Sequence, residues 1–203
     1  MSWGMHTYTL LDRIHEIERA MECSLWQSAL AMALTIPDIC GQIEFYDKVR
    51  VDKKGVVILD SNGEPIRLVG EQYKAWFTKY VEQFYADSSG FNEDWTAKQP
   101  YFTAVMCWQL RNAFLHSGSD NIDTYNTNQT YNFQLQVNAS DSISKVNDEK
   151  IDVTVDVGNL CHNICNAGKK FYDNWEKRED FSDKCFEWLD LNEWSKCFHE
   201  YNT

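Results

Sequence analysis

Apolar positions recur at helical spacing along most of the chain and at a spacing of two in a few short stretches. The pattern predicts a mainly α fold, a helical bundle of about five to six helices carrying two small β-hairpin insertions. Leu10, Leu11, Ile14, Ile17 and Met21 form the first helical stripe, with Thr9 placed as N-cap and Asp12 three residues on to close a capping box. A second helix is predicted from Ser24, where Ser-Leu-Trp-Gln has the same form, through Ala29, Leu30, Ala33 and Leu34. Pro37 should kink or interrupt it, because proline lacks a main-chain donor and crowds the preceding turn. The helix then continues from Asp38 to Phe45, with Gly41 leaving room for a close neighbour.

Residues 49–69 change period. Val56 to Leu59 and Ile66 to Val69 flank Asn62-Gly63, the dipeptide that best fits a two-residue hairpin turn. Helical spacing returns from Glu71 through Tyr73, Trp76, Phe77, Tyr80, Val81 and Phe84, an aromatic core helix that ends before Ser88-Ser-Gly90. Pro100 is expected in the first turn of the next helix, which Phe102, Val105, Met106, Leu110, Ala113 and Phe114 line up to His116, with Gly118 as C-cap. Polar residues 119–131 are expected to form a surface loop. Phe133 to Val137 and Ile151 to Val157 alternate, which predicts a second hairpin over about 131–157. Helices over about 158–177 and 181–201 complete a single domain spanning 1–203, without internal repeat or linker.

Eight Trp and an aromatic content of 14% argue for a packed globule rather than a disordered chain. The first twenty residues hold Arg13, His15, Glu16, Glu18 and Arg19 and no apolar run, so neither a signal peptide nor a membrane span is expected. Seven cysteines without secretory context read as reduced thiols in a cytoplasmic protein, which leaves the sequons at Asn128 and Asn138 without meaning. Cys161, His162 and Cys165 lack the spacing of a metal knuckle and read as core thiols on one helix face, so no metal or cofactor is expected. The net charge of −12 opposes an extended grip on nucleic acid, whose affinity comes mostly from Lys and Arg against phosphates. A small cleft where a few basic groups face one phosphate is less affected.

Candidate chemistry concentrates in residues 107–118, Cys-Trp-Gln-Leu-Arg-Asn-Ala-Phe-Leu-His-Ser-Gly. Cleaving an RNA phosphodiester without metal needs a base for the 2′-hydroxyl, an acid for the leaving 5′-oxygen and positive charge on the phosphorane. A histidine titrating near neutrality suits the first two roles, and an arginine, always charged and able to donate two parallel hydrogen bonds, suits the third. On a straight helix, positions i and i+5 point about 140° apart, so Arg111 and His116 converge only if the helix ends or unwinds between them. One histidine cannot readily serve both sides of a phosphate, which favours two copies of the segment across a dimer axis.

The Arg111-Asn-Ala-Phe-Leu-His116 segment resembles the Arg-x4–6-His motif of the HEPN superfamily, many of whose members are metal-independent ribonucleases. The resemblance implies a dimeric helical bundle with Arg111 stabilising the phosphate, His116 as acid and base, and Asn112 as the polar residue after the arginine. Homodimerisation, RNA as substrate and a setting in toxin, stress or phage-defence biology follow from the same likeness. Residues 33–41, 73–77 and 110–116 are also similar to a family of bacterial and mobile-element proteins, a likeness that implies no activity.

The residues leave a different reading open. Arg111 bonded to Asp38 or Glu44, with His116 capping carbonyls at its own helix end, would be a purely structural network. The chain would then be an acidic, non-catalytic interaction or dimerisation module that binds a protein partner. Asp38 and Glu44 enter the first reading as well, as residues that orient the motif. A metal-dependent hydrolase is disfavoured, since no His, Asp and Glu cluster has ligand spacing.

Overall fold

The computed structural model describes residues 4–118, 130–145, 150–179 and 187–193, and these form a mainly helical fold. Strand β1 (Gly4–Thr9) leads into α1 (Leu10–Glu22), where the expected capping box forms: Thr9 Oγ1 accepts from Asp12 N–H, and the Asp12 carboxylate accepts from Thr9 N–H at 2.9 Å. Helix α2 (Trp26–Ala33) lacks the predicted cap. Ser24 has φ 58°, and its N–H and that of Leu25 close the end of α1 on Met21 and Ala20 carbonyls. Ser24 is thus consumed in terminating one helix and cannot start the next.

Of the two effects expected of Pro37, interruption is the one that occurs, and no long kinked helix forms. Pro37 lies in the first turn of a separate helix α3 (Ile36–Glu44), where the missing N–H has no partner to lose. The excursion that follows is not one hairpin but a ribbon with two turns, bridged at Val49 with Arg67, Val51 with Val57 and Leu59 with Pro65. Asp52 and Asp60 each accept two backbone N–H groups, and Gly55 and Gly63 complete the turns with φ of 82° and 84°. Asp52-Lys-Lys-Gly55 therefore repeats the chemistry of Asp60-Ser-Asn-Gly63, and Asp87-Ser-Ser-Gly90 repeats it again.

Helix α4 (Val69–Tyr80) buries Tyr73, Trp76 and Phe77 completely. A single 3-10 turn over Glu82–Tyr85 tightens the chain after it, turning Tyr85 inward and leaving Phe84 46% exposed, so the predicted stripe loses its last member. Pro100 bridges to Ala86 outside any helix. Helix α5 (Ala104–Ser117) starts instead at Thr103, whose hydroxyl accepts from Met106 N–H, while the Glu82 carboxylate accepts from Ala104 N–H. Gly118, with φ 62°, ends it as expected.

Glu82 is a test of that capping. Burial pushes its carboxyl up from the ordinary value near 4.5, against the lowering by Ala104 N–H and the Thr78 hydroxyl. The folded chain then keeps the proton to higher pH than the unfolded chain does, so this group's contribution declines as pH rises from the unfolded value through the raised one. Glu82→Gln keeps an acceptor and abolishes the titration. Urea unfolding from about pH 4 to about pH 7 should show the native chain losing stability relative to the variant; a gap independent of pH would refute the assignment.

Strands β2 (Thr130–Gln136), β3 (Ser142–Lys145) and β4 (Lys150–Asp156) form a sheet in the order β2-β4-β3. The second predicted hairpin is corrected here, because β2 and β4 pair in parallel, Phe133 opposite Val153, and the antiparallel partner of β4 is β3. A parallel pair requires a crossover. Asp156 anchors it by accepting from Ala139 N–H, and also caps α6 (Val157–Glu176) through Asn159 N–H. The helix predicted over 181–201 is a strand, β5 (Glu187–Glu193), antiparallel to β1; the rest of that range lies outside the described residues. Leu189 and Leu191 alternate with Asp190 and Asn192, a period of two that helix spacing overlooked.

The core joins one face each of α1 to α6 with Val153 and Val155 of the sheet. Among the described residues no helix is long and apolar enough to cross a membrane.

Candidate functional site

Arg111 and His116 both lie within the uninterrupted helix α5, so their side chains leave it about 140° apart. The unwinding that would bring them together does not occur before Ser117. Arg111 turns toward the body, with a side chain only 20% exposed, whereas His116 is exposed in the last turn.

Arg111 is held on several sides. Its guanidinium lies 5.1 Å from the Trp108 ring centre, an Nη1 donates to the Asn112 carboxamide at 3.0 Å, and an Nη2 stands 3.6 Å from the Asp38 carboxylate. Trp108 is fixed in turn against Gly70, where a Cβ would meet the indole at 3.2 Å. The Arg111 Nε is buried with no hydrogen-bond acceptor among the described residues. The Nη2, 3.6 Å from Asp38, is the terminal nitrogen of the guanidinium not tied by a close bond.

Asp38, in the first turn of α3, has a second and closer cation. Arg67 Nη2 donates to it at 2.8 Å, and Arg67 Nε donates to Gln72 Oε1 at 2.8 Å. Gln72 is fully buried and its amide donates to the Phe45 and Lys48 carbonyls, so Arg67 rests on a fixed polar chain at the base of the 49–68 ribbon. Two guanidinium groups share one carboxylate, which leaves a local excess of positive charge in a chain of net charge −12. Neither Arg67 nor Gln72 stood out in the sequence. A polar Gln inside an apolar helical face was the one available signal, since a buried amide requires partners.

Glu44 lies elsewhere. It accepts from Lys79, from Tyr80 at 3.1 Å and from Trp175 at 3.0 Å, tying α3 to α4 and α6. Burial pushes its carboxyl up, but the bonds from Lys79, Trp175 and Tyr80 outweigh that and hold it below the ordinary value. The network around Arg111 thus contains Asp38 and Asn112 but not Glu44.

Other reactive groups are removed by their surroundings. Burial pushes the Cys107 thiol up to about 12 although Tyr73 shares a proton with it at 3.3 Å, and Cys165 also goes to about 12. Cys161 and Cys165 are buried while His162 between them is exposed. Among the described residues, no group of three or more His, Cys, Asp or Glu side chains is placed to hold a metal ion. A cleft of about 600 Å³ lies between α1 and the start of α6, lined by Glu18, Trp26, Asp156 and His162 among others, and includes neither Arg111 nor His116.

Comparison with protein-family models, with curated proteins and with solved structures gives no match.

Proposed function

We propose that the chain is a metal-independent endoribonuclease of the HEPN type, acting as a homodimer, with its helical body as the corresponding bundle. The observation that carries the reading is an arginine whose Nη2 reaches Asp38 only at 3.6 Å, beside an Nη1 bonded to Asn112, on the same helix as an exposed histidine five residues on. Arg111 would stabilise charge on the phosphorane, and His116 would exchange the proton at the 2′-hydroxyl or the 5′-oxygen. Because the two side chains diverge in one protomer, a complete site would combine motifs from two. Cytoplasmic location and a role in toxin, stress or phage-defence biology belong to the same reading.

A second reading is favoured by the net charge of −12 and by the engagement of Arg111 with Asp38: an acidic, non-catalytic interaction module in which the arginine is structural. RNA cleavage in EDTA separates the two. The native chain is expected to cut RNA, and His116→Ala and Arg111→Ala to lose at least about a hundredfold of that rate, the loss typical when one charge-stabilising group is removed. Intact RNA with the native chain, or undiminished cutting by both variants, would sink the nuclease reading. Sedimentation of the native chain checks the dimer.

A further inference from the structure

Asp38 does not hold its two arginines equally. Arg67 makes a hydrogen bond to it at 2.8 Å, while Arg111 stands at 3.6 Å, attracted but beyond hydrogen-bond reach. Arg67 is also fixed by the buried Gln72 and by the backbone bridge between Val49 and Arg67. Among the described residues Arg111 is otherwise engaged by Asn112, a neutral acceptor, and by the Trp108 ring. If Asp38 had no other cation, its negative charge would draw Arg111 into a close pair and occupy the donors that face an incoming anion.

We infer that Arg67 is a positioning residue that serves as the standing counterion of Asp38, leaving Arg111 able to bind a phosphate group. The inference rests on the reading of Arg111 as the phosphate-binding group and adds what keeps it available. The ligand class is a phosphate monoanion or dianion, or the phosphodiester of RNA. On binding, Arg111 exchanges the distant Asp38 carboxylate for the closer phosphate oxygens, and Arg67 prevents Asp38 from being stranded as an uncompensated charge.

Inorganic phosphate is the probe, and the readout is the Arg111 Nε–H resonance, assigned by its loss in Arg111→Lys. In the native chain the resonance should move saturably with phosphate. Arg67→Met should weaken that binding by at least about tenfold, as loss of a charge-assisted interaction does. Adding Asp38→Asn to Arg67→Met should restore most of the affinity, a rescue that a merely structural role for Arg67 would not produce. Should Arg67→Met fail to fold, the double variant and Arg67→Lys carry the comparison, and both should bind within about threefold of the native chain. No response in the native chain, undiminished binding in Arg67→Met, or no rescue by Asp38→Asn overturns the inference. A phosphate response without RNA cleavage defeats the ribonuclease reading and leaves this one standing; cleavage without a response at Arg111 does the opposite.

Discussion

Gly41→Ala is expected to lower the stability of the fold by about 3 kcal/mol, the upper range for forcing an atom into a packed interface. A Cβ on Gly41 would lie 2.6 Å from the Gln72 carbonyl oxygen and 2.9 Å from its carbon. Both are backbone atoms of α4, so no side chain can rotate away. The helices α3 and α4 must separate, and the separation falls on the pair that sets the candidate site, since Asp38 rides on α3 while Gln72 holds Arg67 from α4. Urea unfolding measures the loss, and weaker binding of inorganic phosphate should accompany it. A fully stable variant would mean that the close approach of these helices is not maintained in solution.

Trp76→Ala is expected to cost more, about 4 kcal/mol, in line with the removal of a large aromatic side chain from a rigid core. Trp76 is fully buried between Tyr80, 5.3 Å away in ring centres, and Phe171, which meets it edge-on at 6.1 Å. Its indole Nε1 has no hydrogen-bond partner among the described residues. Trp76→Phe should therefore cost far less, about 1 kcal/mol, because the lost volume is offset by removing an unpaired buried donor. Equal costs for the two variants would show that the indole N–H, and not the ring volume, is what the core depends on.

The helical body was legible because its causes are local or periodic. The Thr9–Asp12 capping box, the stripe of α4 and the left-handed glycine after α5 each follow from residues within a few positions of one another. The errors fall where one residue could serve two neighbours. Ser24 could cap α2 or end α1, and the tertiary fold chose the second, whereas at Pro37, where a kink or an interruption was expected, the helix is interrupted. Strand pairing was the larger failure, because alternation identifies a strand without naming its partner. Phe133 to Val137 and Ile151 to Val157 were recognisable as strands, yet nothing in them distinguishes a hairpin from the parallel pair around which β3 folds.

The candidate site divides in the same way. Arg111, Asn112 and His116 are contiguous, and their residue types suffice to suggest phosphate chemistry without any fold. Chain order also made plain that Arg111 and His116 would diverge on an intact helix. What joins Arg111 to Asp38, and Asp38 more closely to Arg67, spans 73 and 29 positions of chain, distances over which helical spacing carries no information. Those contacts exist because Gly41 lets α3 lie against α4 and because the ribbon returns Arg67 to the head of α4. The sequence alone thus determined which groups are the candidates for phosphate chemistry. Only the tertiary structure decided which carboxylate balances them, because charge pairing depends on distance in space, and packing between helices sets that distance.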